Sequence, residues 1–174
     1  TPFYCYSADT IRKNFHKYRN SFPAEQSTVC FAVKSNSNQS VLKMMGEWGA
    51  GADVVSAGEL KRALLAGIPA RRIVFSGVGK TEAEMAYALE QGIFQFNVES
   101  EPELERLNGV AMARGMAAAV AFRVNPDIDA GTHEKITTGK AVNKFGIPVA
   151  CAGDVYRRAA GMPGICIQGI AMHI

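Results

Sequence analysis

The sequence predicts a parallel α/β fold and, within that class, a (β/α)8 barrel of the TIM type. Strand-like apolar runs alternate with amphipathic helical segments along most of the 174 residues. The first five strand-like runs recur roughly every 21 to 24 residues, which is a short period for βα units. An open doubly wound sheet also fits such an alternation, but no Gly-x-Gly-x-x-Gly follows any strand. The uniform short spacing therefore favours the barrel.

Hydrophobic period and turn residues place each element. An N-terminal helix at about 7–20, starting at Ala8 and capped by Ser7, precedes the first strand. The strand-like runs lie at 28–33, 52–55, 72–76, 94–98, 119–124 and 168–174. The helical segments between them lie at 40–48, 57–66, 82–90, 101–114 and 154–160.

Several helix boundaries carry recognisable signals. Three helix starts have the Ser/Thr-x-x-Glu pattern of a capping box, in which a hydroxyl and a carboxylate bind otherwise unpaired N–H groups. These pairs are Ser56 with Glu59, Thr81 with Glu84, and Ser100 with Glu103. Glycines close four predicted helices, at Gly49, Gly67, Gly92 and Gly115.

The chain has the length of one domain, but about six strands cannot close an eight-stranded barrel. The first residue is also not methionine. We therefore expect 1–174 to be a partial barrel domain, with βα repeats over about 28–174 and the remaining strands beyond it. The segment 126–148 has no clear period, and a long loop of this kind is usually functional or mobile.

Composition argues against several classes of function. A net charge of +3 is too small to indicate nucleic-acid binding, and no apolar run approaches the length of a membrane span. The cysteines lack metal-ligand spacing, so we expect Cys30 and Cys166 to be buried free thiols in a reducing cytoplasm. The three histidines are scattered, and their spacing indicates no metal site.

Lys34 is the strongest candidate for a chemical role. It lies where a short apolar strand passes into small polar residues, a position that favours a neutral, nucleophilic amine. Such a lysine can form a Schiff base with an aldehyde, most often pyridoxal phosphate. The alternative is a solvated lysine at the end of a strand.

Other unusual polar residues lie within the strands or near their ends. They are Asp53, Ser76, Asn97, Arg123 and His173. Taken singly, Asp53 could be a turn residue, Arg123 could pair with a nearby carboxylate, and His173 could be a core histidine. Strand ends of a barrel meet at one rim, so we expect these side chains to gather there with Lys34.

Ordered motifs spanning nearly the whole chain resemble the fold-type III pyridoxal-phosphate decarboxylases, which have an alanine-racemase-like barrel. The matching segments are 31–38 (Phe-Ala-Val-Lys-Ser-Asn-Ser-Asn), 51–60 (Gly-Ala-Asp-Val-Val-Ser-Ala-Gly-Glu-Leu), 75–80 (Phe-Ser-Gly-Val-Gly-Lys), 96–101 (Phe-Asn-Val-Glu-Ser-Glu), 123–129 (Arg-Val-Asn-Pro-Asp-Ile-Asp), 138–146 (Thr-Gly-Lys-Ala-Val-Asn-Lys-Phe-Gly) and 171–174 (Ala-Met-His-Ile). The resemblance implies decarboxylation of an amino acid, meso-2,6-diaminopimelate being the best match, which yields L-lysine.

The resemblance also implies roles for individual residues. Lys34 carries the cofactor as a Schiff base, and His173 packs on one face of its pyridine ring. Asp53 and Arg123 lie near the cofactor and its lysine, and Glu59 is a second acidic position that could be only structural. The loop with Lys140, Lys144 and Phe145 lies near the site mouth and the subunit interface. The implied assembly is a homodimer with shared active sites.

The departures from the family are mostly absences. The family's phosphate cradle, the acid that pairs with the pyridine nitrogen and the substrate-binding residues are expected after Ile174, together with a β-rich C-terminal domain. Ser35 replaces the alanine common after the lysine. The alternatives are a decarboxylase of ornithine, arginine or carboxynorspermidine, or a non-enzymatic pyridoxal-phosphate carrier of the single-barrel type. We expect the isolated 174-residue chain to be inactive, since an open barrel exposes sheet edges.

Overall fold

The computed structural model describes residues 1–23, 25–127 and 145–173. Within them the strands form one sheet whose paired neighbours are all parallel. The strands are β1 (Cys30–Ala32), β2 (Gly51–Val54), β3 (Ile73–Phe75), β4 (Gln95–Val98), β5 (Ala118–Asn125), β6 (Ile147–Pro148) and β7 (Ile165–Ala171). The helices are α1 (Ala8–Arg19), α2 (Gln39–Glu47), α3 (Ala57–Leu65), α4 (Glu82–Gln91), α5 (Glu101–Met112) and α6 (Val149–Ala159).

Strand order follows chain order. β1, β2, β3, β4 and β5 are successive neighbours, β7 then pairs with β5, and the short β6 pairs with the last two residues of β5. Helices α2, α3, α4 and α5 each connect two neighbouring strands. Parallel neighbours joined by helices are the arrangement of a (β/α) barrel. The predicted fold class is confirmed in the form of a partial barrel.

The apolar core forms where the strands meet the helices. Phe75 of β3 and Phe96 of β4 are fully buried and stack with their ring centroids 6.0 Å apart. Leu60 and Leu104, from the helices that follow β2 and β4, are buried in the same cluster. Because strand residues alternate between two faces, burying this face turns the intervening residues towards the barrel interior.

The sequence places the first helix and first five strands close to where they lie, but three features near the end differ. α6 begins at Val149 rather than 154, and β7 begins at Ile165 and ends at Ala171 rather than covering 168–174. The start of α6 carries no capping signal, because Pro148 at its N-cap has no side-chain hydrogen bond to offer. The two-residue β6 falls inside the segment predicted to be loop, and 128–144 lie outside the described residues.

The three predicted capping boxes differ in detail. In all of them the hydroxyl accepts from the N–H of the glutamate. Among the described residues, only the Glu84 carboxylate also accepts a hydrogen bond from the backbone N–H of its N-cap residue, Thr81. Glu59 and Glu103 instead accept from the residue before the cap, Val55 N–H at 2.8 Å and Glu99 N–H at 3.0 Å. The glutamates therefore also tie the end of each strand to the following helix.

The expectation for the cysteines is wrong for Cys166, which is exposed, whereas Cys30 is half-buried. β7 pairs with β5 along one edge, and alternate residues of β7 are exposed along its length. Cys166 lies on that exposed face. In the described part of the chain, no helix is both long and apolar enough to cross a bilayer.

Candidate active site

The C-terminal ends of the strands surround a cleft of about 600 Å³. Phe75 and Phe96 are buried in the core, so their neighbours Ser76 and Asn97 face this cleft. The polar and charged side chains that line it are Lys34, Asp53, Ser76, Asn97, Glu99, Arg123 and His173. Active sites of parallel barrels are built at this edge of the strands.

Lys34 lies in a 3-10 turn, Val33–Ser35, directly after β1. The Ser35 hydroxyl donates to the Ala32 carbonyl at 2.7 Å, and the Asn36 N–H donates to the Val33 carbonyl at 3.1 Å, so the turn is held at both ends. The Lys34 side chain is exposed and lines the cleft. Among the described residues its amine has no hydrogen bond or ion pair. The turn therefore presents an amine that is open to reaction.

A row of hydrogen bonds crosses β2, β3 and β4 inside the cleft. The Ser76 hydroxyl donates to Asp53 Oδ1 at 2.6 Å, and Asn97 Nδ2 donates to Ser76 Oγ at 2.9 Å. Gln95 Nε2 donates to Asn97 Oδ1 at 2.8 Å. A hydroxyl carries one proton, so Ser76 cannot donate elsewhere while it bonds to Asp53. Every donor in the row therefore points towards the Asp53 carboxylate.

Arg123 connects the two sides of the cleft at β5 and β7. Its Nη1 donates to Glu99 Oε2 at 2.5 Å, and its Nη2 lies 3.2 Å from Nδ1 of His173. The side chain of Glu99 is 1% exposed and that of Arg123 is 12% exposed. The Arg123 guanidinium also lies 5.9 Å from the centroid of the Phe145 ring. Arg123 and Glu99 therefore form a largely buried, hydrogen-bonded ion pair, and the Phe145 ring makes a cation–π contact with the guanidinium.

A second lysine, Lys80, lies below the rim of the cleft, and its surroundings are the opposite of those of Lys34. Its side chain is fully buried, and Nζ donates to the Gly77 carbonyl at 2.6 Å, the Asn97 carbonyl at 2.9 Å and Glu103 Oε1 at 2.7 Å. An ammonium group has three protons, so all its donors are used. Burial raises the pKa of Glu103, and the Lys80 charge opposes that rise. Lys80 is therefore a structural cation.

Cys30 of β1 lies beside the Lys34 turn and also lines the cleft. Burial, reinforced by the negative charge of Asp53, raises the pKa of its thiol to about 11. The thiol therefore stays protonated near neutral pH, which removes it as a competing nucleophile.

The family model for the pyridoxal-dependent decarboxylase, pyridoxal binding domain, matches residues 8–174. The chain belongs to this decarboxylase family. The match covers every strand and helix described above, so the cleft lies in the domain that binds pyridoxal in these decarboxylases.

Curated relatives and solved structures agree with the family. The chain is 51% identical to diaminopimelate decarboxylase of Zymomonas mobilis over 177 residues, and 49% identical to that of Vibrio cholerae over 174 residues. Each match covers 100% of this chain and 42% of the relative. The structure of the Helicobacter pylori enzyme complexed with L-lysine matches with a TM-score of 0.96 and 42% identity, over 100% of this chain and 44% of that one. The chain spans about two fifths of the relatives it matches.

A further structural match shows only that the fold is shared. The arginine decarboxylase of the Paramecium bursaria Chlorella virus has a TM-score of 0.81 at 23% identity, over 96% of this chain and 42% of that one. The same partial barrel fold therefore occurs both in diaminopimelate decarboxylases and in an arginine decarboxylase.

Within the decarboxylase family, the chemistry of the cleft fits the aldehyde and the ring of a pyridoxal group. The group needs an amine to bind its aldehyde and polar and flat side chains to hold its ring. Lys34 supplies an amine that has no partner in the described part of the chain, and Asp53, Arg123 and His173 line the same cleft. The structure brings together all the residues predicted at the strand ends. Their roles in cofactor binding remain predictions.

The remaining positions named from the sequence, Glu59 and the loop with Lys140, Lys144 and Phe145, have different outcomes. Phe145 lies against Arg123, whereas Lys140 and Lys144 lie outside the described residues. The Glu59 carboxylate bonds to the Val55 N–H, which is a structural contact at the start of α3.

Sequence reasoning did not assign Glu99, Lys80 or Glu103 to the site. Glu99 and Lys80 lie inside two of the matched family motifs, so a signal was present. Their ionic partners are remote in the chain, however, and Glu103 reads simply as a helix cap. Only the folded structure, which brings the turn after β3 against α5 and the end of β4 against β5, shows which charges meet.

Proposed function

We propose that this chain is the pyridoxal-phosphate-binding barrel region of an enzyme that decarboxylates meso-2,6-diaminopimelate to L-lysine and carbon dioxide. The observation that carries the proposal is the Lys34 amine, unpaired among the described residues, in a cleft that it shares with Asp53, Arg123 and His173. The relatives described above, 49–51% identical over the whole chain, are diaminopimelate decarboxylases, which supports this choice of substrate.

When bound, pyridoxal phosphate supplies a pyridine ring that accepts the electron pair left by departing carbon dioxide. Lys34 would hold the cofactor through its aldehyde. It could do so because its turn holds the backbone in place, while its amine makes no hydrogen bond or ion pair with any other described residue. The side chain moves without breaking any ion pair among the described residues.

Asp53, Arg123 and His173 orient the reacting groups. The Asp53 carboxylate accepts from the Ser76 hydroxyl, which itself accepts from Asn97, so the carboxylate is held in one orientation in the cleft that Lys34 also lines. The His173 ring is restrained by Arg123 and presents a flat face that limits ring motion and water access. These roles follow from the family resemblance and are supported by the shared cleft.

Large apolar side chains at the cleft mouth support a site that is completed by another protein segment. Val78, Phe145 and Met172 line the cleft and are 54%, 53% and 60% exposed. Exposed apolar groups at the rim of a polar cleft are typical of a surface that another protein segment covers. We propose a cytoplasmic homodimer with shared active sites, acting on a free amino acid.

The test is reductive trapping. The full-length protein is incubated with pyridoxal phosphate, reduced with borohydride, digested and mapped by mass spectrometry. We expect the pyridoxyl group on Lys34, with the buried Lys80 unmodified as an internal control. A folded protein with no adduct at Lys34 contradicts the proposal.

Substrate choice is tested separately by carbon dioxide release. The full-length protein is offered meso-diaminopimelate, ornithine, arginine and carboxynorspermidine under the same conditions. Turnover of diaminopimelate alone supports the assignment. Preference for another substrate, with an intact Lys34 adduct, retains the cofactor site and overturns the substrate.

A further inference from the structure

A buried series of charged side chains lies beneath the cleft: Lys80, Glu103, Glu99 and Arg123. Two of the four do not reach the cleft. Lys80 and Glu103 have side chains 0% and 6% exposed, and neither lines the cleft. Glu99 and Arg123, 1% and 12% exposed, form its nearer end and do line the cleft. The four groups carry two positive and two negative charges. A buried set of this kind is retained only when each charge has its partners, because a lone buried charge is costly.

Glu103 is the first connection. Oε1 accepts from Lys80 Nζ at 2.7 Å, and Oε2 accepts from the backbone N–H of Glu99 at 3.0 Å. Both oxygens are therefore committed, one to a side chain and one to the strand end. Glu103 fixes the backbone from which the Glu99 side chain projects.

Glu99 is the second connection, and Gly77 braces it. Oε1 of Glu99 accepts from the Gly77 N–H at 2.7 Å, and the Gly77 carbonyl accepts from Lys80 at 2.6 Å. Gly77 has φ +97°, a conformation that suits glycine. The turn after β3 is thus held at both its N–H and its carbonyl. This leaves Oε2 of Glu99 to receive Arg123 at 2.5 Å.

At the cleft end of this series of contacts, Arg123 meets His173. The chemistry of that contact determines which ring nitrogen of His173 carries the proton. A guanidinium has only donors and stays charged in proteins. Nδ1 of His173, 3.2 Å from Nη2, must therefore be the acceptor. An imidazole that accepts at Nδ1 carries its proton on Nε2.

We propose that Lys80 and Glu103 are positioning residues that, through Glu99 and Arg123, hold His173 as the Nε2–H tautomer. Without them the backbone of Glu99 and the Gly77 turn lose their anchors, so the Glu99 carboxylate shifts and Arg123 is no longer aimed at Nδ1. The tautomer follows from contacts within this chain. Its consequence for catalysis rests on the proposed function.

The test substitutes Lys80→Met in the full-length protein, which keeps the length and apolar stem of the side chain and removes the ammonium. The readout is the histidine tautomer from ¹⁵N NMR of protein labelled in histidine, with the His173 signals assigned by comparison with His173→Asn. In the wild-type protein we expect an unprotonated Nδ1 and a protonated Nε2. In Lys80→Met we expect both tautomers, together with a kcat lowered by about tenfold to a hundredfold.

The control is Lys43→Met, which makes the same change at an exposed position in α2. It should leave both the tautomer and kcat unchanged. If Lys80→Met does not fold, Glu103→Gln decides the question on the same readout, because an amide oxygen cannot replace both carboxylate contacts at full strength. A folded variant that keeps the single Nε2–H tautomer overturns the proposal. Failure of the borohydride test alone overturns the proposed function and leaves the tautomer result standing.

Discussion

The Ser76 hydroxyl donates a 2.6 Å hydrogen bond to the Asp53 carboxylate and so joins β3 to β2 inside the cleft. The same oxygen receives Asn97 Nδ2 at 2.9 Å. One hydroxyl therefore sets the orientation of two neighbouring polar side chains on either side of it. In a parallel sheet this kind of cross-strand contact links residues that are more than twenty positions apart in the chain.

Removing that hydroxyl is expected to cost stability. Ser76→Ala leaves Asp53 and Asn97 without a shared partner, and the free energy of unfolding should fall by about 1–3 kcal/mol. Urea denaturation of the full-length protein measures the change. Ser40→Ala, an exposed position in α2, is the matched control and should shift it by less than about 0.5 kcal/mol. Equal effects of the two substitutions would contradict the row of hydrogen bonds.

Lys34→Ala is expected to separate function from folding. The side chain is exposed and unpaired among the described residues, so the free energy of unfolding should change by less than about 0.5 kcal/mol. Turnover of diaminopimelate should be abolished. Both are measured on one preparation, with Lys43→Ala as the control that keeps activity. Normal steady-state activity in Lys34→Ala would remove the lysine from the mechanism.

Glu84 should give the stability a defined pH dependence. Partial burial opposes its ionisation, but hydrogen bonds from the N–H groups of Ala57 and Thr81 and from the Thr81 hydroxyl outweigh it and lower the pKa. A lowered carboxyl pKa contributes stability above the ordinary value of 4.5, and the contribution is lost as the pH falls through the folded-state pKa.

Glu84→Gln is therefore expected to unfold about 1 kcal/mol more easily than the wild-type protein at pH 7, and this difference should shrink as the pH falls below 4.5. Urea denaturation at a series of pH values measures it. Glu105→Gln, an exposed position in α5, is the control and should differ from the wild-type protein by less than about 0.5 kcal/mol at pH 7. A Glu84→Gln difference that is constant with pH would contradict the assignment.

Gly51 is expected to tolerate no side chain. A Cβ built there lies 2.2 Å from the Arg72 carbonyl oxygen and 2.8 Å from Cys30 Sγ, because β2 approaches the start of β3 closely. Gly51→Ala should lower the free energy of unfolding by about 1–3 kcal/mol or more. Gly109→Ala is the matched control. It lies inside α5 with open space around its Cβ and should raise stability by about 0.5–1 kcal/mol. Thermal or urea unfolding of both variants gives the comparison.

Local signals in the sequence account for most of the fold. Ser7, Ser56, Thr81 and Ser100 each accept from an N–H of the helix that follows, and those helices start where the signals predict. α6 has no such signal, so the sequence predicts its start five residues too late. β6 is two residues long, which is too short for any period to reveal it.

The site was predictable only at its rim. Lys34, Asp53 and His173 stand out because polar residues are unusual at the ends of apolar strands. Lys80 and Glu103 do not, because each has an ordinary local explanation as a turn lysine and a helix cap. Their importance comes from burial and from partners on other elements, which depend on how the helices pack against the sheet.

The parallel neighbours run from β1 to β7 through β2, β3, β4 and β5, with Lys34 following the first strand and His173 the last. In a flat sheet, five interstrand spacings of about 4.8 Å would separate those two ends by about 24 Å. Both side chains nevertheless line one cleft. The curvature of the sheet therefore creates the site, because it brings the two ends of the sheet close enough for one small molecule to contact both residues. Binding of the cofactor should thus report on the curvature of the sheet as a whole and not on any single strand.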